Sequence, residues 1–283
     1  MKSVEYTKPS ESPIYDPAAA ITFFEVDGAA ENAVNGKVFF KEGERRGFFS
    51  GNDRIYLLLD GSVAISIDGR AIDTVNAGEI FGEMASLINS GRSATATATS
   101  DCRVIALDGK QFQKAVQRDP GFALVLMGIM INRLRLTLVR LAMKKTVRES
   151  GEIEERRVFD DETLDRISTM LDDPVLLRYS EKQLIINAGD LGAFVYFPRE
   201  GCVAISTEGR TLEYVGIGGV FGEMALVDNA TRSAKAVAAT DCALLAVNRK
   251  QFLKLVQTQP EFGLSLLKLL AQRLQAATAL LTR

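Results

Sequence analysis

GSVAISIDGR, running from Gly61, returns as GCVAISTEGR from Gly201, and FGEMA from Phe81 returns from Phe221, both at an offset of 140 residues. The offset continues without a gap through Asp101-Cys102 and Asp241-Cys242, through Lys-Gln-Phe at Lys110 and Lys250, and on to Arg133-Leu134 and Arg273-Leu274. Roughly 35 of about 75 aligned positions are identical. A period this long belongs to a duplicated domain, because solenoid repeats run to only about 20–50 residues. Upstream the register slips. Gly43-Glu44 and Gly189-Asp190 look equivalent, yet their separations from Gly61 and Gly201 differ by about six residues. The first copy is therefore expected to carry a loop insertion near ERRGFFSGND.

Each copy begins with a β pattern. Ile55–Leu59 and Val63–Ile67 flank Asp60-Gly61, and Asp68-Gly69 separates the second run from Ala71–Val75, which predicts short strands joined by tight turns. Glu200-Gly201 and Glu208-Gly209 repeat the scheme, and SATATATS and RVIAL continue at strand spacing. The period then changes. Asp108 stands three residues before Gln111 and Asn248 three before Gln251, an N-cap with a capping-box partner, so a helix should start there in both copies. Leu124, Met127, Ile131, Leu134, Leu138 and Leu141 extend an apolar stripe at helical spacing, suited to packing on another helix and to homodimerisation. The fold class expected is α+β: two tandem antiparallel β-rolls of the double-stranded β-helix, jelly-roll type, each with flanking helices.

The expected division is a tail and helical lead-in over residues 1–34, a first domain over 35–143, a charged linker over 144–165 and a second domain over 166–283. In the linker, apolar residues thin out and charges cluster, which suits a solvated helix or a hinge. The opening MKSVEYTKPSESPIYDP is polar and proline-bearing, so it reads as a mobile tail and not as a secretory leader. Phe122–Ile131, the most apolar stretch, is about half the length a bilayer needs, and no membrane span is expected.

Composition removes several function classes. Of 283 residues none is His, which excludes Ser-His-Asp and Cys-His catalysis and His-ligated zinc or iron. Cys102, Cys202 and Cys242 lie far apart without CxxC spacing, so reduced thiols and a cytoplasmic location are expected, with Cys102 and Cys242 as small buried apolar residues. A net charge of -2 argues against broad adhesion to nucleic acid or anionic membrane. Neither catalytic residues nor a metal site is expected.

The candidate site residues are Phe81, Gly82, Glu83, Met84 and Ala85 with Arg92, Ser93 and Ala94, and their copies Phe221, Gly222, Glu223, Met224 and Ala225 with Arg232, Ser233 and Ala234. Each copy holds Glu and Arg nine residues apart. Each Arg is expected to open a strand of otherwise small residues and so to face the roll interior, where an unpaired charge costs several kcal/mol and a partner is required. A phosphodiester meets that need, since a guanidinium donates two parallel bonds to it, Ser93 or Ser233 adds another, and Glu83 or Glu223 can accept from a sugar hydroxyl. With no long glycine loop to cradle a triphosphate, the ligand implied is small, with one phosphate and a sugar.

FGEMA followed by RSA resembles the phosphate-binding cassette of the cyclic nucleotide-binding domain family, which includes bacterial catabolite activators, regulatory subunits of cAMP-dependent protein kinase and cyclic nucleotide-gated channels. The resemblance covers Asn35 to Leu141 and Lys182 to Leu280. It implies an eight-stranded roll in which Arg92 and Arg232 bind the cyclic phosphate, Glu83 and Glu223 bind the ribose 2'-hydroxyl, and the other cassette residues line the two pockets. Ser after the Arg is similar to cAMP-binding bacterial members, whereas Thr there goes with cGMP; cAMP is favoured as the ligand and cGMP stays open. About ten residues follow Arg273, too few for a helix-turn-helix, so direct DNA binding is not expected. The function expected is a non-enzymatic receptor that signals to an unidentified effector protein, with nucleotide shifting the helices around Asn132 to Asp165. Two other readings compete: a ligand-free roll serving as a scaffold, with each Glu and Arg in an internal salt bridge, and a metal enzyme of similar shape, which the absence of His disfavours.

Overall fold

The computed structural model describes residues 17–44, 54–88, 91–143, 157–171 and 174–282. Three of the sequence-based features lie wholly or mostly outside these ranges: the N-terminal tail, the insertion near ERRGFFSGND and the charged linker up to residue 156.

The first copy opens with α1 (Pro17–Asp27) and contains eight strands: β1 (Ala29–Ala33), β2 (Val38–Phe40), β3 (Ile55–Asp60), β4 (Ser62–Ile67), β5 (Arg70–Asn76), β6 (Ile80–Phe81), β7 (Thr95–Ala98) and β8 (Cys102–Leu107). They form two antiparallel sheets, ordered β1-β8-β3-β6 and β2-β7-β4-β5. The short helix α2 (Glu83–Ile88) sits between β6 and β7, and α3 (Gly109–Arg118) and α4 (Phe122–Met143) follow β8. The second copy repeats the plan with α5 (Asp161–Met170), β9 (Val175–Tyr179), β10 (Leu184–Ile186), β11 (Phe194–Glu200), β12 (Val203–Thr207), β13 (Arg210–Val215), α6 (Glu223–Val227), β14 (Lys235–Ala238), β15 (Cys242–Asn248), α7 (Arg249–Thr258) and α8 (Pro260–Thr282). Its sheets run β11-β15-β9 and β10-β14-β12-β13. A bridge between Tyr196 and Phe221 stands where β6 pairs with β3 in the first copy. The result is two tandem antiparallel jelly-roll units with helices, an α+β fold.

The turns explain the register. Asp68 and Gly69 take φ of 48° and 73°, and Glu208 and Gly209 take 46° and 76°, the paired positive values of a two-residue turn whose twist matches the flanking strands. The β4–β5 and β12–β13 ladders close on Ile67↔Arg70 and Thr207↔Arg210, each with a bulge at the same place, between Ile65 and Ser66 and between Ile205 and Ser206. Asp108 forms a full capping box with Gln111 at the start of α3, and Asn248 accepts from the Gln251 amide at the start of α7. The slip in register also has a location: β2 and β10 are 146 residues apart and β3 and β11 are 140 apart when Phe40 is set on Ile186 and Tyr56 on Tyr196. The additional residues of the first copy therefore fall between Glu44 and Arg54. β1 lies upstream of residue 35 and joins the sheet through β8 from Ala29↔Ala106 to Ala33↔Cys102. Its sequence AAENA has no β-branched or aromatic residue to announce a strand.

Each roll has its own core. In the first, Phe40, Tyr56 and Phe81 pack with Leu58, Val63, Val75 and Val104; in the second, Tyr196 and Phe221 pack with Val203, Val215 and Leu244. Cys102 and Cys242 are buried members of these cores, and burial pushes the Cys242 thiol up.

The compact units do not coincide with the copies. One unit draws on the chain up to Asn132 together with Gln257–Thr282, and the other on Arg133–Val256. Within the first unit, α8, which belongs by sequence to the second copy, packs against α2 and α3. Both terminal helices carry Leu on more than one face, so the sequence does not determine which roll each one covers. α4 is 22 residues long and apolar enough by length and composition to cross a membrane, but 67% of its most apolar window is buried inside the protein. It is longer than the apolar stretch read from sequence, since Arg133, Arg135 and Arg140 are part of the same helix. Leu124, Met127, Ile131, Leu134 and Leu141 are buried within the single chain.

Candidate functional site

The structure gathers each cassette around a buried arginine. Phe81 ends β6, and Tyr56 on the neighbouring strand stacks on it with ring centroids 5.0 Å apart; Tyr196 and Phe221 repeat this at 5.2 Å. Such pairs add about 0.5–1.5 kcal/mol beyond the area they bury, and here they fix the strand end from which each cassette turns. Gly82 and Gly222 follow, with φ of 82° and 85°, a region that side chains with a Cβ enter at a cost. The turn they make starts α2 and α6 at Glu83 and Glu223, which are 2% and 1% exposed. Met84 and Ala85 lie in α2, Met224 and Ala225 in α6.

Arg92 and Arg232 enter from the other side of this turn and are only 3% and 7% exposed. Their backbones are held alike: the Arg92 amide donates to Glu44 and the Gly43 amide donates to the Arg92 carbonyl, while Arg232 pairs in the same way with Asp190 and Gly189. Their guanidinium groups are also held alike. Arg92 Nη1 donates to the Gly82 carbonyl at 2.8 Å and Nη2 to the Arg54 carbonyl at 3.0 Å. Arg232 Nη1 donates to the Gly222 carbonyl and Nη2 to the Phe194 carbonyl, both at 2.6 Å. The interior placement expected from sequence is thus what the structure has. Each fork is clamped to the carbonyl of the cassette glycine and to that of a residue at the start of the adjacent strand, Arg54 just before β3 and Phe194 at the first position of β11.

The surroundings differ. The Arg92 guanidinium lies 4.1 Å from the Phe40 ring centroid, a cation–π contact. At the second site the residue in register with Phe40 is Ile186, and Gly192 lets Arg232 approach: a Cβ there would come within 3.0 Å of Arg232 Cζ and 2.8 Å of Ala225 Cβ. Ser93 Oγ contacts Met84 Sδ at 3.8 Å, whereas Ser233 Oγ accepts from Arg135 of α4. Ala94 is buried and Ala234 half-buried.

Electrostatics favour an anion at the second site. Burial holds the Arg232 guanidinium below the usual arginine range, outweighing the attraction of Tyr196, Glu223 and Asp190. A desolvated cation that its neighbours under-compensate gains from a phosphate oxygen, and each charge-assisted bond is worth about 1.5–3 kcal/mol. Glu83 and Glu223, as buried carboxylates, are acceptors suited to a hydroxyl.

Sequence reasoning did not single out Phe40, Tyr56, Gly192 or Tyr196. A signal for the tyrosines was present, because Tyr56 and Tyr196 stand at the same 140-residue offset as the cassettes. Phe40 and Gly192 had none, since the two copies differ at these places.

The sequence matches the cyclic nucleotide-binding domain family over residues 32–119 and 176–259, more than half of the chain. Among curated proteins it is 26% identical over 211 residues to a cGMP-dependent protein kinase of Caenorhabditis elegans, covering 72% of this chain and 24% of that protein. It is 29% identical over 215 residues to a cAMP-dependent protein kinase regulatory subunit of Debaryomyces hansenii, covering 75% of this chain and 41% of that protein. The chain therefore spans well under half the length of either relative. Among solved structures, the catabolite activator protein of Thermus thermophilus is 35% identical with a TM-score of 0.38, over 42% of this chain and 57% of that one.

Proposed function

Because the chain belongs to the cyclic nucleotide-binding domain family, we propose that it is a receptor for cAMP with two binding sites, one around Arg92 and Glu83 and one around Arg232 and Glu223. The family membership makes it a pair of cyclic nucleotide-binding regulatory domains; the choice of cAMP, the absence of catalysis and the signalling role are our reading. One observation carries it: in both copies a buried guanidinium is clamped in the same way to the cassette glycine carbonyl, beside a buried glutamate. A scaffold with vestigial pockets would have no reason to keep two buried arginines held on backbone carbonyls, each with a buried glutamate in the same cassette, at a desolvation cost of several kcal/mol.

In this reading the phosphodiester takes bonds from Arg92 or Arg232 and from the adjacent serine, and the glutamate accepts from the 2'-hydroxyl. The protein forms and breaks no covalent bond. Binding acts by favouring one arrangement of the helices that follow each roll, and a ligand shifts that balance only by the difference in its affinity for the two arrangements. The effector is a separate protein that reads the helices.

Calorimetric titration of the full chain with cAMP and with cGMP tests this. Two sites of micromolar affinity or better for cAMP, about -8 kcal/mol each, are expected, with weaker uptake of cGMP. Tighter binding of cGMP reverses the ligand assignment, and heat from neither nucleotide leaves the scaffold reading in its place.

A further inference from the structure

Within the second compact unit, Arg135 of α4 reaches the cassette from outside its sequence. Its Nε and Nη2 bind the two oxygens of Asp228 at 2.6 and 3.1 Å. Nη1 donates to the Thr231 carbonyl at 2.9 Å and to the Ser233 hydroxyl. Both partners of the ion pair are largely buried, with side chains 22% and 15% exposed. Asp228 is itself held, as the C-terminal cap of α6 and as acceptor of the Ala230 amide at 3.2 Å. A bidentate pair on a fixed carboxylate gives Arg135 a defined orientation.

We infer that Arg135 is a positioning residue for the second site, presenting the Ser233 hydroxyl as a donor to an anionic oxygen. A guanidinium has donors alone, so the Ser233 oxygen must accept from it, and the single hydroxyl proton is turned elsewhere. Ser233 follows Arg232, the residue assigned to the phosphate, so the proton is available to the same ligand. The residue pair that makes this device is not repeated at the first site. At the 140-residue offset the counterparts of Arg135 and Asp228 are Gln275 and Ile88, which cannot form an ion pair. The first site's serine, Ser93, meets the Met84 thioether instead, a weak acceptor that fixes no direction. The two sites share a cassette but not a preorganised serine. This inference rests on the cyclic nucleotide reading above and adds to it a residue outside the cassette.

The test is Arg135→Gln, which installs the residue found at the equivalent position of the second copy's terminal helix, Gln275, with cAMP as the probe in calorimetry on the full chain. Measured in an Arg92→Ala background, which reports the second site, affinity should fall about five- to tenfold, the worth of one oriented hydrogen bond. In an Arg232→Ala background, which reports the first, it should not move. A double-mutant cycle separates positioning from mere structural support: once Ser233→Ala removes the hydroxyl, Arg135→Gln should cost nothing further. Asp228→Asn, which loosens the arginine without removing it, should give a smaller loss at the second site and serves as the readout if Arg135→Gln does not fold. An unchanged second site, or an equal loss with and without Ser233, overturns the inference while leaving the receptor reading intact. A wild-type chain that binds neither cAMP nor cGMP overturns both.

Discussion

Gly82→Ala probes the joint on which the first site turns. Gly82 has φ of +82°, and a Cβ there would lie 2.9 Å from the Arg54 carbonyl oxygen, 3.1 Å from Phe40 Cε1 and 3.2 Å from Arg92 Nη1. The nearest obstacle is backbone and cannot swing aside. It is also one of the two carbonyls that hold the Arg92 fork, so relief of the clash must move the arginine. The left-handed backbone costs an Ala about 1–2 kcal/mol, and forcing a methyl into a filled space costs about 1–3 kcal/mol more. Gly36→Ala separates the two costs, because Gly36 has φ of +85° and nothing within 4 Å of its would-be Cβ. Urea unfolding followed by far-ultraviolet circular dichroism and tyrosine fluorescence, in a chain without tryptophan, should show Gly82→Ala losing about 1–3 kcal/mol more than Gly36→Ala. First-site affinity for cAMP should drop in the former alone. Equal losses in stability and binding would refute the argument that Gly82 is required by close approach to the clamped arginine.

Asp108→Ala removes a capping box whose two bonds are both 2.8 Å long and should cost about 1 kcal/mol in urea unfolding; a midpoint unchanged from wild type contradicts the role given to that turn. Burial holds Tyr56 and Tyr196 above the ordinary tyrosine range, so the folded chain retains their protons longer than the unfolded chain does. Their contribution to stability is complete below the unfolded value of 10.0 and is lost as pH rises through the folded one. Tyr56→Phe and Tyr196→Phe should each flatten the alkaline limb of a pH–stability curve, and an unaltered limb counts against the burial argument. Nucleotide affinity should be nearly flat between about pH 6 and 8, because no His titrates there; a tenfold change across that range would point to a titrating group in the site.

Local chemistry made much of this protein legible in its sequence. Asp68-Gly69 and Glu208-Gly209 announce hairpins because glycine enters positive φ freely, and Asp108 and Asn248 announce helix starts because their side chains replace the missing acceptor of the first turn. The cassettes were legible for a different reason: a guanidinium, a carboxylate and a glycine repeated at one spacing imply one chemistry twice. The interior position of the arginines followed from the small residues after them, Ser93-Ala94 and Ser233-Ala234, although these lie just ahead of β7 and β14 and not within them. What escaped reading depends on distant parts of the chain. The carbonyls of Arg54 and Phe194 are anonymous in a sequence, since every residue has one. β1 was hidden by AAENA, a strand made by pairing with β8 and not by propensity. The partner of α8 was illegible because Leu and Ala on several faces suit many partners, and Arg135 sits in α4, far along the chain from the cassette it serves.

The most direct test of two arginine-anchored sites is cAMP titration by calorimetry of wild type, Arg92→Ala, Arg232→Ala and the double variant. Wild type should bind at two sites, each single variant should retain one and lose about 1.5–3 kcal/mol or more at the other, and the double variant should give no binding heat. Two undiminished sites in the double variant would contradict the account.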